Sequence, residues 1–287
     1  MADLFAFLNL KLQRLVQLVF SLVTNGYIVG FIEGKIYTGK SKFVCVPGLS
    51  CYSCPGALGS CPIGSLQAIL SSRNFNFSFY IVGFLIITGV FLGRLVCGWL
   101  CPFGFFQDLL YKIPFSKKLK TLPGHMILRF LKYVILILFV IILPIFIIDV
   151  IGQGQPWFCE FICPAGTLMA GIPLATTNEG IRDSLGWLFA WKFFLLIATI
   201  ILSIIVFRPF CQYICPLGAI YGLFNPISLY NFNINKEKCT QCGACQTSCK
   251  LNISVFEKPN DPECIRCGDC KKACPHKAID SGFTIKK

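Results

Sequence analysis

The chain has 287 residues, 55% of them hydrophobic, and a mean hydropathy of +0.69. That is too apolar for an ordinary soluble enzyme and points to an integral membrane protein. The formal charge of +13 fits basic residues flanking membrane segments better than a nucleic-acid surface, so no nucleic-acid partner is expected.

Lys11 and Arg14 lead directly into an apolar stretch, so no cleavable leader is expected. Four stretches, 15–32, 79–96, 131–151 and 193–207, approach the ~20 residues that cross a bilayer. Gly83, Gly89 and Gly93 favour close helix packing within the second. Pro144 predicts a kink in the third. The four tryptophans fall at or just outside predicted ends, where an aromatic belt sits. With the N-terminus inside, ten lysines and arginines before residue 236 fall on the inner side and six on the outer. That bias predicts a multi-pass protein of the cytoplasmic membrane, with its N-terminus and C-terminal domain in the cytoplasm. Lys112, Lys117, Lys118 and Lys120 are expected to meet anionic lipid. Asp149, near the outer end of the third stretch, is expected to be hydrated.

Pro-x-Gly follows a cysteine four times, after Cys61, Cys101, Cys163 and Cys215. Each half then runs helix, outer loop with one motif, helix, inner loop with another. This predicts two parallel repeats, about 10–125 and about 126–225, within a transmembrane domain of residues 1–234. The inner motifs agree position by position: Arg94, Cys97, Cys101 and Gly104 against Arg208, Cys211, Cys215 and Gly218.

The 18 cysteines, all but Cys45 and Cys61, stand in close C-x2-C or C-x3-C series, in a chain neither short nor polar. That suits reduced metal ligands rather than a disulfide scaffold. Residues 235–287 are polar and carry Cys239-x2-Cys242-x2-Cys245-x3-Cys249, then Cys264-x2-Cys267-x2-Cys270-x3-Cys274-Pro275. This is the spacing of a bacterial two-cluster ferredoxin, an α+β domain in which the fourth ligand of each [4Fe-4S] cluster comes from the other series. Cys239, Cys242, Cys245 and Cys274 are assigned to one cluster; Cys264, Cys267, Cys270 and Cys249 to the other. Gly243 and Gly268 let each loop turn closely. A structural zinc site would need only one or two of these pairs.

A proline after each membrane cysteine suits the first position of a helix and leaves the cysteine at the N-terminus, where amides and dipole favour negative charge. Cys97, Cys101, Cys211 and Cys215 are then candidates for one cluster shared between the repeats, for a thiol–disulfide relay, or for inert burial. Arg94 and Arg208 either offset the charge of that cluster or snorkel to headgroups. On the outer side, Cys54, Cys61, Cys159 and Cys163 are the expected ligands of a second membrane cluster, with Cys51 as the alternate for Cys54. A rival set is Cys45, Cys51, Cys54 and Cys61. Such a centre would shorten the tunnelling distance across a hydrocarbon core ~30 Å thick. The cysteine-containing loop 34–76 could re-enter to supply it where protein covers its backbone. With only His125 and His276 present, no bis-histidine haem is expected.

These motifs resemble the membrane polyferredoxin family, the NapH, NosR and CcoG kind, and most of all a branch associated with anaerobes. The resemblance implies an α-helical membrane protein with four spans and a C-terminal ferredoxin domain. It implies electron transfer, as part of an oxidoreductase, between a quinone pool or cytosolic donor and a redox partner protein or subunit. Quinol dehydrogenase and cupric reductase activity are the alternatives it brings. The cysteine-rich loop 45–61 and the outer Cys159–Cys163 motif depart from the quinol-oxidising members and favour a wire of clusters across the membrane.

Overall fold

The computed structural model describes residues 2–71, 79–147 and 154–283, with side chains from residue 12 onward. Asp149 and the end of the third expected span lie outside the described residues. The first helix, α1 (Ala2–Thr24), stops at Asn25-Gly26, where Tyr27 N–H donates to Gly56 O at 3.1 Å. The expected span 15–32 is therefore a helix that begins earlier, followed by a separate short turn of helix, Ile28–Glu33. Next come α2 (Pro62–Leu70), α3 (Phe79–Leu92) and α4 (Pro102–Leu110). The expected span 79–96 breaks after Leu92 because Gly93 turns left-handed, with φ +53°.

Among the described residues two helices are long and apolar enough to cross a membrane: α5 (His125–Phe146) and α6 (Trp187–Ile205). Four spans were expected; beyond these two, the described residues offer shorter apolar helices at Leu12–Thr24 and Phe79–Leu92. A core helix of a soluble protein would be mostly buried. Only 22% and 17% of the α5 and α6 windows are, and Ile127, Phe130, Ile137, Phe194 and Ile201 point outward. That is how a helix solvated by lipid looks. Within α5, Leu136–Ile142 is π-helical and ends two residues before Pro144. The wider turn is how the helix takes up a residue with no N–H and a ring against the preceding turn.

α7 (Pro216–Phe224) packs against α3 and α5. At the first of these contacts a side-chain carbon on Gly89 would lie 2.5 Å from the Phe224 ring. The chain then enters a two-stranded antiparallel sheet, β1 (Tyr230–Ile234) with β2 (Ile279–Phe283), in register Tyr230 to Phe283 and Ile234 to Ile279. Residues just before 235 are thus paired with the far end of the polar segment. Between the strands lie α8 (Ala244–Ser248) and α9 (Asp269–Ala273). One continuous core joins the parts, running through Cys61, Phe158, Phe103, Phe210, Leu251 and Ile265.

Replacing Gly89 with Leu forces the α3–α7 contact apart. Overpacking of this kind costs about 1–3 kcal/mol, so Gly89→Leu should lower the thermal midpoint in detergent, read by intrinsic fluorescence, whereas Gly83→Leu, with nothing within 4 Å of its site, should not.

Candidate metal centres

All four Cys-Pro-x-Gly motifs fold alike. Cys61, Cys101, Cys163 and Cys215 are extended N-caps, ψ 127°, 116°, 110° and 114°, with proline opening the helix behind each. Proline has no N–H to leave unpaired there, so the sequence itself sets the thiol at a helix start. In the inner pair the cap is closed by sulfur: Gly104 N–H donates to Cys101 Sγ and Gly218 N–H to Cys215 Sγ, each at 3.4 Å.

The inner site collects Cys97, Cys101, Cys211 and Cys215, all buried. Their thiols are near enough for charge on one to act on the others. Both arginines are 1% exposed, so neither snorkels. Instead they cross over. Arg94 Nη2 donates to Cys211 O at 3.1 Å, and Arg208 Nη1 donates to Cys97 O. Asp108 neutralises Arg208, contacting Nε at 2.6 Å and Nη2 as well. Glu263, from the polar domain, neutralises Arg94 at 2.6 Å and also binds Lys132. Burial alone would raise the Glu263 carboxyl; Arg94 and Lys132 outweigh it and hold the group below its ordinary value.

Asp108 stands four residues after Gly104, and Gly222 four after Gly218. Glycine leaves room where the second half has no acid: a side-chain carbon at Gly222 would sit 3.1 Å from Pro262 O and 3.7 Å from Arg94 Cδ. The loop 261–266 uses that room. Asn225 Nδ2 donates to Asp261 O and Cys264 O at 2.8 and 2.7 Å. Arg266 donates to Leu92 O and Asn225 O, both at 2.9 Å, and Trp99 Nε1 donates to Arg266 O at 3.2 Å. A side-chain carbon on Gly98 would fall 2.2 Å from Ile265 O.

In the polar domain the two cysteine series lie 25 positions apart, and the backbone repeats at the same interval. Gln241 and Arg266, Gly243 and Gly268, and Asn252 and Lys277 all have positive φ. These left-handed residues curl each loop; at the four non-glycine positions they carry strain that an ordinary surface loop has no reason to hold. Cys239, Cys242, Cys245 and Cys274 line one pocket, with His276 at its edge, and Cys242 is exposed. Burial first, then the nearby thiols of Cys264 and Cys249, push the Cys270 thiol up to about 12, so Cys249 of the first series lies within electrostatic reach of the second.

A cavity of about 400 Å³ is lined by Cys51, Cys61, Cys159 and Cys163, the set expected on the outer side, together with Tyr52 and Lys192. Cys54, the expected ligand, does not line it; Cys51, its alternate, does. The turn with Cys54 N–H on Cys51 O at 3.1 Å faces Cys54 elsewhere. Cys45 is buried apart, its N–H on Tyr80 Oη at 3.2 Å.

Besides the acids Asp108 and Glu263, two residues that touch sulfur escaped the sequence reading. Gln107 Nε2 donates to Cys211 Sγ at 3.1 Å, and Gln67 Nε2 to Cys159 Sγ at 3.2 Å. Each glutamine stands six residues after its Cys-Pro cysteine in the first half, and each reaches the leading cysteine of a C-x3-C in the second. That shared offset was the available signal.

The residues fit an iron–sulfur group. The donor sets are thiols with amide donors aimed at sulfur, and Arg94 Nε is a buried N–H without a partner beside Cys97 and Cys211. All eighteen cysteines are free. Among the described residues no three of His, Cys, Asp or Glu converge as a single ion requires; a cubane is wider than one ion and holds its ligands further apart.

The 4Fe-4S binding domain family matches residues 77–122, 132–173 and 187–236, the stretches that hold Cys97, Cys101, Cys159, Cys163, Cys211 and Cys215. Fold and site thus define a largely helical iron–sulfur protein with apolar, membrane-type helices. Protein MJ0750 of Methanocaldococcus jannaschii is 32% identical over 209 residues, 71% of this chain and 78% of that one. YccM of Escherichia coli, whose name assigns it to electron transport, is 24% identical over 250 residues, 83% of this chain and 63% of its own. The methylamine utilization ferredoxin-type protein MauN of Methylorubrum extorquens is 28% identical over 183 residues, 59% and 50% of the two chains. The chain belongs to the membrane polyferredoxin family, iron–sulfur proteins of electron transfer. No solved structure matches it.

Removing one partner of a buried ion pair costs about 3–5 kcal/mol because the other charge stays unpaired. Glu263→Leu should therefore loosen the loop 261–266, seen as faster amide exchange at Glu263 to Arg266, while the outer cavity residues exchange as before.

Proposed function

We propose that the protein carries electrons between a cytosolic donor and a partner protein or quinone at or across the membrane, along four cysteine sets. The order is Cys239, Cys242, Cys245 and Cys274 at the exposed end; then Cys264, Cys267, Cys270 and Cys249; then Cys97, Cys101, Cys211 and Cys215; then Cys51, Cys61, Cys159 and Cys163. A [4Fe-4S] cluster held by each set would take up and release one electron without a proton. The observation that carries this reading is the inner site: four buried thiols, two from each half, with the loop bearing Cys264 fastened directly to it.

The chain's own residues supply the rest. Arg94 and Arg208 set positive charge beside thiolates in a dry interior, where anionic groups would otherwise be costly. Gln107 and Gln67 donate N–H to ligand sulfur, which stabilises the reduced, more negative state and raises potential. Four spans in two parallel repeats, with α1 and α3 added to α5 and α6, would hold the arrangement in the bilayer. The polar unit, with β1 included, would face the cytoplasm, where the basic loops lie.

About sixteen irons per purified chain are expected, four for each of four clusters; about eight would return the membrane thiols to a relay, or to a quinol- or copper-reactive site. Cys101→Ser and Cys215→Ser should each abolish the same paramagnetic centre and spare the ferredoxin pair, and loss of different centres would separate the two halves. Gln107→Leu should keep the iron but lower that centre's potential in a redox titration.

A further inference from the structure

The inner and outer cysteine sets are joined by more than proximity. Leu49 N–H donates to Cys101 Sγ at 3.4 Å, a bond from the outer loop to an inner-site sulfur. Two residues on, Cys51 lines the outer cavity, as does Leu49 itself. Two residues of extended chain reach at most about 7 Å. The stretch is dry: Leu49 and Ser50 are buried, and Ser50 Oγ donates to Asn25 Oδ1 at 3.1 Å. It is also tightly seated, since a side-chain carbon at Gly48 would lie 2.9 Å from Cys101 Cα and 3.0 Å from Leu100 O. Pro47 O accepts from Tyr221 Oη at 3.0 Å. Tyr221 is wholly buried and lies among thiols of both sets, Cys97 and Cys101 of the inner and Cys61 of the outer.

Lipid cannot hydrogen-bond the irregular backbone of this loop, so Tyr221 and Asn25 hold it at this depth. Sulfur is a weak acceptor, so the Leu49 contact is a poor structural anchor. As an electronic contact it is well placed, because coupling through bonds decays less steeply than coupling across a gap.

We propose that residues 47–51, with Tyr221 bracing them, are the bridge through which electrons pass between the inner and outer cysteine sets. This rests on the electron-transfer reading above. With an iron–sulfur centre held by each set, one electron would leave the inner set and the same electron would enter the outer set. No proton moves and no covalent bond forms or breaks, so the segment has only to stay rigid and dry.

The test uses the full chain in lipid nanodiscs, reduced with dithionite and freeze-quenched for paramagnetic resonance, alongside equilibrium redox titration. Leu49→Pro deletes the N–H. It should lower the potential of the centre that Cys101→Ser abolishes, leave the ferredoxin pair unshifted, and delay the outer centre's signal by about tenfold or more, the effect of roughly 1.4 kcal/mol on a barrier. Tyr221→Phe keeps the ring and removes only the bond to Pro47; it should keep all iron and slow the same step. Unchanged potential and unchanged rate in Leu49→Pro would overturn the bridge. If Leu49→Pro loses iron, Tyr221→Phe decides, and a wild-type rate in it overturns the bridge. Wild-type protein with only about eight irons would instead sink the electron-transfer reading itself, a separate result.

Discussion

Two buried guanidinium groups cross-tie this molecule. Each belongs to one Cys-x3-Cys-Pro motif and bonds the carbonyl of the first cysteine in the other, Arg94 to Cys211 and Arg208 to Cys97. A buried cation is tolerated only when paired, so each arginine demands a carboxylate close by. The choice of carboxylate organises everything around the inner thiols. Asp108 comes from the first half and is itself touched by Gln17 of α1 at 3.2 Å. Glu263 comes from the polar domain and also engages Lys132 of α5. Helices α1, α4 and α5 and the polar domain are thereby fixed to one point.

The asymmetry between the two acids has a simple chemical origin. Where the first half carries Asp108, the second carries Gly222, and the missing side chain leaves space for Pro262 and Glu263. A symmetric pair of halves would have closed that space and left the polar domain on a tether. Losing one carboxylate from the membrane part creates a socket for another, and the domain arrives with its second cysteine series next to the inner thiols. Docking and charge neutralisation are one event.

Local rules carried the sequence reading far. Cysteine spacing pointed to the Gly243 and Gly268 turns of the polar segment, and Cys-Pro gave four N-caps of one geometry. Helix ends were less visible because tertiary contacts decide them. Tyr27 pairs with Gly56 and ends the first apolar run early; the α3 stop at Gly93 is a turn demanded by Asn225 and Arg266 across the interface. Cys51 and Cys54 are equivalent by spacing, and only the turn between them chooses which one faces the outer cavity. Glu263 looked like any surface acid beside a cysteine. The glutamines at 67 and 107 were legible in principle, since both lie the same distance beyond a Cys-Pro, but the pattern gains meaning only once both are seen to reach sulfur.

Exposure differs sharply among the thiols. Those at the inner site are sealed, whereas Cys242 lies open at the far end of the polar domain. Under the proposed electron-transfer function, this rim is where a redox partner could bring its own centre close. The same opening admits dissolved oxygen and peroxide, which attack accessible thiolate sulfur first. The end of the polar domain that carries Cys242 is thus the first part of the thiol array to be damaged in air.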